Sequence, residues 1–352
     1  RDLLIERRVA LRGEAGAELA GTGHGTVLRI EADGASVDNL IVRHSGQRQT
    51  TEDAGIKAKG SEISIRHVRV EDTLFGISLG PCPRCLVEYS AVQGPRDENA
   101  LKGDGIKLWE SNDAVVRGCS VEHARDVVVW YSRRVLLDGN SVRYGRYGSH
   151  FMYAHDSVVR DSRVESNVVG IFVMYSARMH LEHNLLAGAR GAAGVGIGFK
   201  ESDAIRIANN VFVANTTGSY LDETPRSEGQ SASFAGNLFA LNDVALRLHW
   251  LRRGLEFLDN DFTQNARIVD VEGGGDALAC LFQGNYYSDY VGYDLNRDGI
   301  GDVAYQVKRL SSELTDEHPS LDFFQGTVAL NLVDAIASAM PVFASLGHTG
   351  RP

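Results

Sequence analysis

The sequence predicts an all-β chain: a right-handed parallel β-helix, a solenoid of about ten or more coils, with a C-terminal helical cap or docking segment. Three observations predict it. A short apolar phrase centred on Asn recurs along the chain. Its copies lie 21 to 29 residues apart. A second alternating apolar run falls between successive copies through most of the repeat.

The first phrase reads IRIANNVF, LEFLDNDF and CLFQGNYY, and again VLLDGNSV, MHLEHNLL and ASFAGNLF. Its Asn falls at 140, 184, 210, 237, 260 and 285, and His67, Ser90, Cys119 and Ser162 take the slot in four other copies. Short alternating runs indicate strands rather than helices. The dense Leu pattern of a leucine-rich repeat is missing, so the period fits a β-helix, each coil about 4.8 Å above the last. Longer copies place insertions in turns. The Asn residues are expected to be structural, since Asn tolerates a left-handed backbone and its amide can bond the neighbouring coil.

The second run reads GIKLWES, VVVWYS, SHFMYA, IFVMYS, IGFKES, SYLDET and LRLHW. Side chains alternate in and out along a strand. Ile106, Leu108, Val127, Val129, Phe151, Ile171, Val173, Ile197, Phe199, Leu221, Leu246 and Leu248 then point inward. One outward column is Trp109, Trp130, Met152, Met174, Lys200, Asp222 and His249. Its parallel neighbour is Lys107, Val128, His150, Phe172, Gly198, Tyr220 and Arg247.

Two of the chain's four methionines thus face outward on adjacent coils, flanked by tryptophans. Apolar patches of this kind are rarely exposed without a use. His150 shares strand and face with Met152, and His155 follows into the turn. Thioether and imidazole form a soft donor set that suits Cu(I) better than calcium or magnesium. Packing beneath a loop or partner, and an aromatic platform for sugar, are the alternatives. Trp109, Trp130 and Phe172 are candidate docking residues. Met179 takes an inward slot, His180 faces out on another sheet, His183 sits at a turn, and His24, His44 and His123 are expected to be solvated.

Cys82 and Cys85 form a CxxC spacing, but Cys119 and Cys280 stand singly. Buried thiols are expected, with a local disulfide or metal pair as the alternative. DLNRDGIGD places Asp294, Asn296, Asp298, the Ile300 carbonyl and Asp302 at calcium-loop spacing, with Tyr305 where a Glu is usual. A structural Ca2+ (or Mg2+) there would pin the end of the coil stack. The repeat is expected to occupy residues 1–309. Apolar residues at helical spacing around Leu330, Val333, Ile336 and Ala337 predict a helix ending near Pro341, within a C-terminal segment 310–352.

The net charge of −10 argues against a general nucleic-acid binder. No apolar run reaches the roughly 18 residues of a membrane span. The opening RDLLIERRVALRGE has no charged stretch followed by an apolar one, so an export signal is expected to be absent or removed.

The repeat, the paired Met-Tyr, TPRSEGQ, NYYSDYVGYDLNRDGIGD and the late helix together resemble the NosD family, from LLIERRVALRGE to AMPVF. The resemblance implies a periplasmic, non-catalytic accessory protein docked on an ABC transporter of permease and ATPase. It implies copper taken transiently from a lipoprotein copper chaperone and used to assemble the copper clusters of nitrous oxide reductase. Membrane contact would run only through the transporter, and ATP hydrolysis would belong to a partner, since the chain has no GxxxxGK[ST] loop. The rival class is a β-helical protein that binds or cleaves polysaccharides. Asp104, Lys107, Trp109 and Glu110, or Asp222 and Glu223, are its candidate groups. Neighbours on a strand face opposite ways, which weakens a two-carboxylate mechanism.

Overall fold

The computed structural model describes residues 3–96, 101–251, 253–274, 277–305, 319–324, 327–329 and 332–333. Among the described residues each coil contributes one short strand to each of three parallel sheets, and each sheet holds 12 strands. Sheet A carries the strands that include Ile106–Trp109, Tyr147–Met152 and Val169–Met174. Sheet B carries the strands of the first sequence phrase, such as Leu136–Asp138, and sheet C those that follow its Asn, such as Ser141–Arg143. The first strand of sheet A is already Leu3–Ile5, so coils precede the earliest recognised copy.

Every predicted inward residue of sheet A is buried, and both outward columns stack in the expected register. The interior differs along the axis. Aliphatic residues fill the early coils, whereas Phe212, Phe239, Phe262 and Tyr287 stack face to face at 4.5, 5.1 and 5.3 Å in the late ones. These separations follow the interstrand spacing of about 4.8 Å, because one ring per coil occupies the same slot.

The Asn slot works by amide bonding. The backbone N–H of Asn184 donates to Asn210 Oδ1, that of Asn210 to Asn237 Oδ1, and that of Asn237 to Asn260 Oδ1, at 2.9–3.0 Å. Each amide also donates down the stack, as Asn210 Nδ2 does to Leu181 O at 2.9 Å. The left-handed backbone belongs to the preceding residue, as at Gly139, His183, Asn209, Gly236 and Asp259. Conformation and amide bonding, both assigned to one Asn by sequence, are therefore split between neighbours. The copy assigned to His67 is off by one: Val68 donates its N–H to Ser90 Oγ, while His67 is left-handed and bonds Asp38. A second ladder through Asn215, Asn242 and Asn265 lines the next turn.

Other expectations change too. Cys82 and Cys85 are joined in a disulfide with Cα atoms 5.6 Å apart. Inside a tight turn both side chains reach the same interior space, and the bridge replaces two buried thiols. His44 pairs with Asp72, and His123 stacks on Tyr144 at 4.8 Å, so neither is simply solvated. Asp104 is buried and bound to Arg125 at 2.8 Å, which removes it from any outward acid/base group.

Among the described residues the last strand ends at Tyr287. Tyr305 then stacks on Tyr287 at 3.7 Å and closes that end of the core. Of the expected C-terminal helix, residues 328, 329, 332 and 333 are described and helical; the remainder lies outside the described residues.

Candidate copper site on sheet A

The site is built by register. Trp109, Trp130, Met152 and Met174 are direct partners on successive coils, and His150 partners Val128 below and Phe172 above. At the His150 strand the pairing shifts: Asp126 faces Tyr147 but Val128 faces His150. Three residues on the lower strand oppose four on the upper one. Such a bulge re-aims the residues beside it. Here Tyr147 folds over His150, with ring centroids 4.8 Å apart. Trp130 meets the same imidazole edge-on at 5.4 Å.

Those walls leave His150 8% exposed. Burial lowers its pKa, with further pressure from Arg146 and Arg125 and partial relief from Asp126. The ring is therefore neutral near pH 7, the state that can ligate a metal. Its Nε2 lies 3.4 Å from Met174 Sδ. An ion with bonds of about 2.0 Å to nitrogen and about 2.3 Å to sulfur, as zinc has, fits between atoms at this separation. His150 Nδ1 and Trp130 Nε1 are buried without a hydrogen-bond partner. An orphaned buried nitrogen is costly, so the imidazole is held here at some expense to the fold.

Met152 and Met174 are half-buried. Tyr131, Tyr153 and Tyr175 follow Trp130, Met152 and Met174 in sequence, each with φ near +51°. That conformation swings the tyrosines into a stacked ladder with 5.2 Å between rings. The recurring Tyr in WYS, MYA and MYS was the signal for it. His155 sits in the turn toward sheet B. Its Nδ1 accepts the Ala177 N–H at 3.1 Å, which leaves only Nε2 for a metal.

Phe172 lies over Gly198, where an added Cβ would come within 2.3 Å of the Phe172 ring. Gly198 is thus the space Phe172 occupies, a role the sequence reading missed. Trp109 and Trp130 meet edge to face at 6.0 Å. Among the described residues, no group of three or more His, Cys, Asp or Glu can hold a metal. One imidazole and two thioethers stand together on this part of the face, donors whose softness suits a monovalent soft ion.

At the loop 294–302 the side chains brace the backbone. Asp294 Oδ2 accepts the Gly299 N–H at 2.9 Å, Asp302 Oδ2 that of Leu295 at 2.7 Å, and Asp298 Oδ1 that of Ile300 at 2.8 Å. Asp294 Oδ1 is buried with no partner. That oxygen has the character a hard cation needs, although the loop's carboxylates do not form a cluster of three.

Residues 90–292 match the sequence model of a family described as periplasmic copper-binding protein (NosD). Over 98% of its length the chain is 30% identical to the probable ABC transporter binding protein NosD of Pseudomonas aeruginosa, covering 83% of that protein. The chain belongs to the NosD family. A second NosD, the probable ABC transporter binding protein of Stutzerimonas stutzeri, is 25% identical over 97% of this chain and 81% of its own length. Among solved structures, the A-module of the mannuronan C-5 epimerase AlgE6 of Azotobacter vinelandii superposes with a TM-score of 0.58. It is 10% identical and covers 79% of this chain and 80% of the module. At that identity the NosD-family chain shares its fold and nothing further is implied.

Proposed function

We propose that this chain is a periplasmic accessory protein that binds Cu(I) transiently at His150, Met152 and Met174 and passes it on without chemical turnover. The observation that carries the reading is the neutral, buried imidazole with Nε2 3.4 Å from a methionine sulfur. The family's description as periplasmic and copper-binding supports it. The relatives' description as ABC transporter binding proteins supports docking on a permease and its ATPase. A lipoprotein copper chaperone is the proposed donor, and nitrous oxide reductase the acceptor. Trp109, Trp130 and Phe172 extend the apolar face beside the ion as docking contacts, and His155 serves through Nε2 if it joins the ligand set.

Chemically, the face offers two thioethers and one imidazole without a permanent anion, so the site holds a monovalent soft ion and can release it. The proposed Ca2+ (or Mg2+) at Asp294, Asn296, Asp298, Ile300 and Asp302 is structural. Competition for Cu(I) against a chromogenic chelator tests the first claim. The wild-type chain should withdraw the ion, and Met152→Leu with Met174→Leu should not. Undiminished affinity and undiminished reductase maturation in that double variant would refute it. Specific cleavage of a uronate polymer by the wild-type chain would instead establish the polysaccharide reading.

A further inference from the structure

The face that carries the methionines changes chemistry toward the N-terminus. Arg29, Lys57, Ser78 and Lys107 are register partners on four successive coils of sheet A, in the column that continues to His150. With Lys59 and Trp109 they line an open cleft of about 480 Å³. Glu31 pairs with Arg29, and Glu52 accepts from Lys107 Nζ at 2.6 Å. Among the described residues, Lys57 and Lys59 form no ion pair. Lys57 instead donates to the Thr51 carbonyl at 2.6 Å.

The arginine ladder further along the solenoid is arranged differently. Arg117, Arg134, Arg146, Arg160 and Arg178 each sit on an Asp of an adjacent coil. Burial lowers the Lys57 pKa, partly relieved by Glu52 and Asp53, and Lys107 and Arg29 push it the same way as burial. Crowded like charges cost stability, and an arriving anion relieves that cost. On a chain of net charge −10 such a patch also gives an acidic partner a place to land.

We infer that this cleft grips a carboxylate-rich polypeptide segment of the protein that exchanges copper at His150, Met152 and Met174. The inference rests on the copper reading above for what that partner does, and on the cleft alone for how it is held. Lys107 lies two coils from His150 in one column, about 10 Å at ordinary strand spacing. Lys57 lies four coils away, about 19 Å, so a segment seated in the cleft runs along the column with its near end toward the ion. A sugar acid fits less well, because stacking needs an open ring face. The Trp109 ring is covered by Lys107 at 5.5 Å and by Tyr131 at 4.9 Å.

The test titrates the full chain with capped hexaglutamate at low and moderate salt, by calorimetry. Binding should be salt-dependent and should weaken at least about tenfold in the double variant Lys57→Met, Lys59→Gln. No binding to the wild-type chain, equal binding to the variant, or equal or tighter binding of inorganic phosphate or hexagalacturonate would overturn the proposal. A second arm uses a Cu(I)-loaded Met-rich peptide tailed with six Glu or with six Gln. Transfer should be about tenfold faster from the Glu-tailed donor, and the advantage should vanish in the lysine variant; equal rates on the wild-type chain would overturn the docking role. If Met152→Leu with Met174→Leu still takes copper, the copper reading fails while the hexaglutamate result stands by itself.

Discussion

One outward row of sheet A holds two kinds of chemistry on one backbone. Trp109, Trp130, Met152 and Met174 form its first stretch; Lys200, Asp222, His249 and Glu272 continue it. In the second stretch Asp222 takes Lys200 Nζ at 2.7 Å and His249 Nδ1 at 2.8 Å, so its charges are spent on one another. In the first, Trp130 Nε1 and, in the neighbouring column, His150 Nδ1 are buried unpaired, and His150 Nε2 meets only Met174 Sδ, at 3.4 Å. Identical strand geometry therefore does not make a site. The difference lies in which polar atoms are left without an internal partner. The charged stretch stabilises the solenoid, and the soft stretch holds unused donor capacity.

The sharpest way to break this comparison is to substitute both stretches and read both affinity and stability. Met152→Leu with Met174→Leu should lower Cu(I) affinity at least about 100-fold, since losing ligands exceeds the 10–100-fold cost of losing an outer-shell partner. It should cost less than about 1.5 kcal/mol in stability, as a volume-conserving change does. Asp222→Ala should do the reverse. Leaving Lys200 and His249 without their acceptor should destabilise by about 1–3 kcal/mol, read by urea unfolding. Copper affinity should stay within about threefold, because chelator competition then reads a site two coils away and intact. Gly198→Ala forces Phe172 off its seat and should cost about 1–3 kcal/mol, detected as a lower unfolding midpoint.

Acid should separate the two stretches by pH in the metal-free chain. Burial holds the folded His150 below the unfolded value of about 6.5. Its contribution is complete above that value and is lost as pH falls through the folded pKa. For Asp222, burial raises the pKa, but hydrogen bonds from Lys200 and His249 outweigh it, and the net shift is downward. Its contribution survives until pH falls below the unfolded value of about 3.9. Unfolding curves from pH 7 to 3 should show the first loss flattened by His150→Gln and the second by Asp222→Asn. The smallest expected effect is at the acidic loop. Calcium should raise the melting temperature by a few degrees, on the order of 1 kcal/mol, and Asp294→Asn should abolish that rise.

The columns of sheet A were legible because alternation has a period of two and each coil returns to the same register. Met152 could be placed beside Met174 by counting. The bulge before His150 was not legible, since one extra residue inside an alternating run leaves no mark of its own in SHFMYA. Nor was the burial of His150, which depends on Tyr147 folding back across the strand. Gly198 read as a blank in the outward column, although it is the seat of Phe172. The Asn ladder was recognised, but its left-handed residue was misplaced by one, because Asn209 and Asn210 share the residue type that suits either role. The CxxC pair required the turn geometry itself, which alone decides whether two sulfurs meet.

X-ray absorption at the copper edge, on the full chain loaded with one equivalent of Cu(I), tests the central claim most directly. A first shell of imidazole nitrogen and thioether sulfur, losing its sulfur scattering in Met152→Leu with Met174→Leu, is the predicted result. A shell of oxygen donors alone, or a sulfur signal unchanged in that variant, would contradict the account.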